Sequence, residues 1–195
     1  MPLNLPNLLT WFRILLIPLF VAVLYVPSHW LTQHQANAIA MWMFIFAALT
    51  DWLDGYLARR LNQTSAFGAF LDPVADKLMV AAALIVLVEL NRVSAMVALI
   101  IIGREITISA LREWMASVGR SKSVAVSMVG KIKTATQMTA IPFLLYHDRM
   151  GLGLNWDAQW IGTFLIWAAA VLTLWSMIYY LRMALPHKAK VDRGV

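Results

Sequence analysis

Four aspartates carry the strongest chemical signal in the sequence. Asp51, Asp54, Asp72 and Asp76 fall within the stretch DWLDGYLARRLNQTSAFGAFLDPVADK, which runs from Asp51 to Lys77. Their spacing is D-x2-D-G-x2-A-R-x8-G-x3-D-x3-D. Residues three or four apart on a helix lie one above the other. Asp51 and Asp54 therefore point one way near the end of one helix, and Asp72 and Asp76 point one way near the start of the next. If the connection folds back, the pairs face each other. Such a pocket offers hard carboxylate oxygens, which suit Mg²⁺ or Mn²⁺ and not Zn²⁺ or an iron–sulfur cluster. The chain has no cysteine, and His29, His34, His147 and His187 all lie outside the stretch. Thiolate sites, a histidine-held metal and a histidine base are thereby disfavoured.

Plainer readings exist for each residue alone. Asp51 and Asp54 can be an acidic helix end. Asp72 before Pro73 has the form of an N-cap with proline at the first helical position. Taken together these readings fail, because an acid inside a helix at the bilayer centre costs roughly 2.5–3.5 kcal/mol, less toward the interface. Four neighbouring acids also repel one another. Lys77, Arg59 and Arg60 can neutralise part of that charge, and two divalent ions would do it better. Gly55, Ala58 and Gly68 lie on or beside the aspartate faces and leave room for a ligand to approach the backbone, although small residues also serve helix packing in membranes. Arg59 can reach a phosphate.

The elements that must position these groups are membrane helices. Of 195 residues, 61% are hydrophobic, and the mean hydropathy is +0.70. The uncharged run from Ile14 to Thr50 spans about 37 residues, nearly two crossings at about 20 residues each. The expected fold is all-α and polytopic: six transmembrane helices in a single domain over 1–195, with a short N-terminal interfacial segment. That segment is the lead from Met1 to Trp11, with Asn7 or Thr10 capping the first helix. The helices are expected over residues 10–26, 36–59, 68 or 72 to 90, 93–117, 124–146 and 158–185. No cleavable signal is expected, because the first apolar run lacks a short core with a small-residue cleavage site.

A net charge of +6 on so apolar a chain points to anionic lipid and oriented insertion, not to nucleic acid. Of the 16 Lys and Arg residues, the loops after helices 1, 3 and 5 hold only Arg92 and Arg149. Arg13, Arg59, Arg60, Lys77, Arg120, Lys122, Arg182, Lys188, Lys190 and Arg193 fall toward the opposite side. By the positive-inside rule both termini and the aspartate loop face the cytoplasm.

At eight specified positions, D51-x2-D54-G55-x2-A58-R59-x8-G68-x3-D72-x3-D76, the chain resembles the signature of the CDP-alcohol phosphatidyltransferases without departure. NLPNLLTWFR, GREITISALR and GKIKT are similar to the bacterial branch that makes phosphatidylglycerophosphate. The resemblance implies a multi-pass enzyme of the bacterial inner membrane, a homodimer, and a site on the cytoplasmic side open to the bilayer. It implies two bound divalent cations, Mg²⁺ or Mn²⁺, and transfer of a phosphatidyl group from CDP-diacylglycerol to glycerol 3-phosphate with release of CMP. It makes Asp76 the general base, with Asp51, Asp54 and Asp72 the main metal ligands and Asp76 an additional one. Gly55, Ala58, Arg59 and Gly68 would hold the CDP part, with Asn7, Thr10 and Arg13 as further candidates.

A dianionic acceptor needs cations at the membrane edge. Arg112, Lys131 and Arg104 are the candidates for its phosphate. Arg104 can instead pair with Glu105. Lys131 lies with Ser127 and Thr134 on the more polar face of its helix, so Lys133, two residues on, is expected to snorkel to the headgroups. The rival readings are a related transferase acting on serine, inositol phosphate or phosphatidylglycerol; a membrane prenyltransferase; and a carboxylate-based ion transporter. The clustering of acids at one face and the lack of an internal repeat speak against the transporter.

Overall fold

The computed structural model describes residues 5–60, 66–117, 128–148 and 157–184. These form six α-helices and no ladder of strands: α1 Leu5–Leu24, α2 Gln33–Arg60, α3 Ala66–Glu89, α4 Ala95–Ser117, α5 Met128–Tyr146 and α6 Ala158–Ala184. At about 1.5 Å per residue, 20 residues cover the hydrocarbon core of a bilayer. Three segments, Asn7–Leu24, Gln33–Tyr56 and Ala158–Tyr179, are long and apolar enough to cross by length and composition alone. The remaining helices carry more charge, and the bundle hides much of it.

Side chains are sorted for a bilayer. Leu15, Trp42, Leu99 and Trp175 are largely exposed, while Arg13, Asp54, Arg104 and Lys133 are buried. A water-soluble bundle would reverse this, because charge is cheap in water and dear in hydrocarbon. The chain is thus an all-α polytopic membrane protein. Around the bundle the helices follow the order α1, α2, α5, α6, α4, α3, and α3 returns to α1. α3 also touches α2 and α5, which brings it toward the centre. The core joins Phe20, Phe44, Leu84, Leu87, Ile101, Ile141 and Leu144. Gly162 allows α6 to approach α5: a Cβ there would sit 2.7 Å from Leu144 Cγ and 3.0 Å from its backbone nitrogen.

Helix starts are set by local hydrogen bonds. At α2, Gln35 N donates to Thr32 Oγ1 while Thr32 N donates to Gln35 Oε1, a reciprocal capping box. This starts α2 at Gln33, one turn before the expected Ala36. Ser94 accepts from Met96 N, so α4 begins at Ala95, after the expected Val93. Asp157 accepts from Gln159 N at the start of α6, Ala158, as expected. The expected lead over Met1–Trp11 is, from Leu5 on, already the first turns of α1. Proline is compatible with a first turn, where its missing N–H has no partner to lose, and Pro6 stands there. Asn7 and Thr10 are therefore inside the helix and do not cap it. The expected first turn of helix 5, from Val124, lies outside the described residues.

α3 closes with Asn91 in the left-handed region at φ 56°. Arg92 N then donates to Leu87 O at 2.8 Å, the long-range bond of a Schellman-type C-cap. The turn delivers the Arg92 side chain into the bundle. Its guanidinium donates to Leu145 O at 2.7 Å, Leu144 O at 3.3 Å and Asn37 Oδ1 at 2.8 Å. Gln159 Nε2 donates to Arg92 O. One side chain and its backbone thus tie α2, α5 and α6 to the α3–α4 link. Burial pushes the Arg92 pKa down, and the Asp148 carboxylate opposes that shift. Arg92→Leu should destabilise the bundle by about 2–4 kcal/mol, because several buried acceptors lose their donor. Denaturation of the purified protein in detergent checks this, and an unchanged unfolding midpoint would contradict it.

Candidate active site

The aspartates of α2 and α3 are organised by a third helix, α1. Asn7, Thr10 and Arg13 recur at intervals of three along α1 and are all buried. Arg13 Nη1 meets Asp51 Oδ1 at 2.6 Å, and Arg13 Nη2 pairs with Asp54 Oδ2. One turn away, Thr10 Oγ1 donates to Asp72 Oδ1 at 2.5 Å. Arg13 and Asp76 line one small cavity together with Phe44, Ala47, Ala48, Met79, Val80 and Met138. The charges of Asp51 and Asp72 act on Asp54, and that of Asp51 acts on Asp76. Four carboxylates from two helices thus gather around the polar stripe of a third.

Asp72 lies inside α3, which starts at Ala66. The N-cap reading of Asp72–Pro73 is therefore corrected: the proline sits within the helix and removes one of its bonds. The Asp72 carboxylate accepts from Thr10 of α1.

The donor set has the chemistry of a hard divalent cation site, being carboxylate oxygen throughout. The Asp51 and Asp54 oxygens already face a positive group, the Arg13 guanidinium. As arranged, no three acidic, histidine or cysteine side chains among the described residues converge closely enough to hold one ion. The residue types fit such an ion, and ligation requires some of these side chains to turn.

A second charged cluster lies beside the first. Lys133 of α5 is buried and pairs with Glu105 of α4. Arg104 Nη1 also meets Glu105 Oε1 at 3.1 Å, and Arg104 Nη2 donates to Ser176 Oγ of α6 at 3.2 Å. The charges of Glu105 and Lys77 act on Asp76, so the two clusters are electrically continuous. Lys133 does not snorkel. It begins the stripe Lys133, Gln137, Ala140, Ile141 and Leu144, every member of which is buried, and this stripe is the inward face of α5. Arg112 is exposed on α4, and its charge acts on Lys133.

Comparison with known proteins bears on what these clusters serve. The model of the CDP-alcohol phosphatidyltransferase family matches residues 3–175. The chain belongs to the CDP-alcohol phosphatidyltransferase family. Relatives from Salmonella typhimurium, Shigella flexneri and Escherichia coli K12 are each 49% identical over 186 residues. These alignments cover 94% of this chain and 96% of each relative. Each relative is named CDP-diacylglycerol–glycerol-3-phosphate 3-phosphatidyltransferase.

Within this family member, the fold brings Asp51, Asp54, Asp72 and Asp76 together with Thr10 and Arg13. Asn7 is buried on the same stripe of α1. Gly55 is half-buried in α2 and Gly68 is buried in α3. Arg104 stands apart, in the Glu105 cluster. Ala58 and Arg59 belong to α2 and Lys131 to α5, but their side chains lie outside the described residues. The sequence reading missed two links: the bridge from Arg13 to the aspartates and the inward Lys133–Glu105 pair. A signal existed for the first, because Arg13 is the only Lys, Arg, Asp or Glu before Asp51, and a lone arginine in an apolar run needs an anion.

Glu105→Gln should destabilise the protein by about 3 kcal/mol, since it leaves Lys133 buried without its anion. The double variant Glu105→Gln/Lys133→Met should recover most of that loss. Unfolding of the single and double variants in detergent measures the coupling. A double variant as weak as the single one would show that the pair itself is not the source.

Proposed function

We infer that this chain transfers the phosphatidyl group of CDP-diacylglycerol to glycerol 3-phosphate and releases CMP. The observation that carries the reading is the near-full-length identity with relatives bearing that name. The complete aspartate signature, gathered against α1, supports it.

In this reading an acceptor hydroxyl oxygen attacks the phosphorus that carries diacylglycerol. The new P–O bond forms as the bond to the CMP oxygen breaks, and the hydroxyl proton passes to Asp76 Oδ. Such transfers depend mainly on positioning and charge neutralisation, with a base adding about 10²–10⁴-fold. Two divalent cations, Mg²⁺ or Mn²⁺, held by Asp51, Asp54, Asp72 and Asp76, would supply neutralisation of the diphosphate. Gly55, Ala58, Arg59 and Gly68 shape the CDP site, with Asn7 and Thr10 beside it. Arg112, Lys131 and Arg104 provide positive charge for the acceptor phosphate. The exposed apolar helix faces suit a lipid donor entering from the bilayer. The bias of Lys and Arg supports a site and both termini on the cytoplasmic side of a bacterial inner membrane. A homodimer belongs to the same reading, on the strength of the family resemblance.

The deciding assay offers labelled CDP-diacylglycerol with glycerol 3-phosphate, serine, inositol phosphate or phosphatidylglycerol, each with and without Mg²⁺ or Mn²⁺. Glycerol 3-phosphate should give product and CMP only with metal. Activity with serine alone would overturn the acceptor, and a lack of CMP release under every condition would favour the transporter. Asp76→Asn should lower turnover by at least about 10²-fold while donor binding persists; near-wild-type turnover would remove the base role. Lys131→Ala should raise KM for glycerol 3-phosphate far more than KM for CDP-diacylglycerol. Equal changes in both would assign Lys131 a structural role.

A further inference from the structure

Arg13 is buried as completely as any charged residue described, with 1% of its surface exposed. Its two terminal nitrogens go to two different carboxylates three residues apart on α2. Its Nε is buried and has no hydrogen-bond partner among the described residues. A guanidinium set as a planar fork against a single carboxylate makes two parallel bonds to it. Here the fork is split between the Asp51 and Asp54 oxygens that the proposed function gives to a metal. Asp76, which that reading also gives to the metal, lines the same small cavity as Arg13.

A divalent ion would contend with the guanidinium for the charge of those two carboxylates. An ion seated on Asp51 Oδ1 and Asp54 Oδ2 would lie against the guanidinium, and in a low-dielectric site the repulsion is strong. We propose that Arg13 is an exchangeable counter-cation: it holds the Asp51–Asp54 pair together and competes with a divalent ion for the same oxygens. When the ion binds, the guanidinium moves off the carboxylates, and its charge becomes available to the anionic diphosphate entering the site. Arg13 is thus a positioning residue that couples metal entry to donor entry. The inference rests on the reading of the aspartates as metal ligands.

The exchange predicts an unusual sign. Removing a residue that merely supports the site should weaken metal binding or leave it alone. Removing a competing charge should strengthen it. Mn²⁺ binding to the full-length protein in detergent can be titrated by electron paramagnetic resonance without substrate or turnover. Arg13→Gln should bind Mn²⁺ about tenfold or more tightly than wild type. It should be less heat-stable in EDTA, and saturating Mn²⁺ should raise its unfolding midpoint by more than it raises that of wild type. Arg13→Lys retains the charge but replaces the fork with a point donor, so its Mn²⁺ affinity should fall between the two. If Arg13→Gln does not fold, Arg13→Lys binding more tightly than wild type carries the same conclusion. Equal or weaker Mn²⁺ binding in the folded variants, with wild type binding normally, overturns the exchange and leaves the metal reading standing. No Mn²⁺ binding by wild type or any variant overturns both.

Discussion

A charge inside a bilayer must be met by an opposite charge or a polar group within the protein, and this constraint governs the bundle. Arg13, Asp54, Arg104 and Lys133 are all buried in a chain whose outer faces are Leu, Trp, Phe and Ile. Each described ionic contact in the interior spans helices or couples neighbours: Arg13 with Asp51 and Asp54, Lys133 and Arg104 with Glu105. Lipid offers these groups nothing, so their partners have to be built in. The polar clusters therefore decide which helices meet, while the apolar contacts fill the space between them.

The two ends of the bundle use polar groups differently. At one end, the buried donors of Arg92 go to backbone carbonyls and to Asn37. That pattern satisfies helix termini and fixes the α3–α4 link against α2, α5 and α6. At the other end the polar groups are carboxylates, arginines and a lysine set against one another. Carboxylates paired with cations can change partners, whereas carbonyls capped by a buried arginine hold one arrangement. The first end is suited to rigidity, and the second to receiving charged ligands.

α1 links the fold to the chemistry. Its apolar residues Leu16, Phe20 and Leu24 join the core, and its polar stripe Asn7, Thr10 and Arg13 continues the same helix into the aspartate site. Helix packing at one end thus sets the position of the site at the other. Thr10 and Arg13 reach helices that lie 38 to 62 residues further along the chain.

The sequence alone determined the membrane class, the six helices found among the described residues, the pairing of aspartates within each helix and the family. All four depend on composition or on short-range spacing, which helical periodicity converts directly into a shared face. The boundaries were less legible, because capping at Thr32 and the helical start at Leu5 depend on a few hydrogen bonds that weigh little beside hydropathy. Only the tertiary structure decided that Arg13 bridges Asp51 and Asp54, that Thr10 meets Asp72, and that Lys133 turns inward. Spacing says which residues share a face, but which face becomes the interior depends on distant helices. In α5 the polar Lys133 heads the buried stripe because Glu105 of α4 waits there, and no local pattern carries that information.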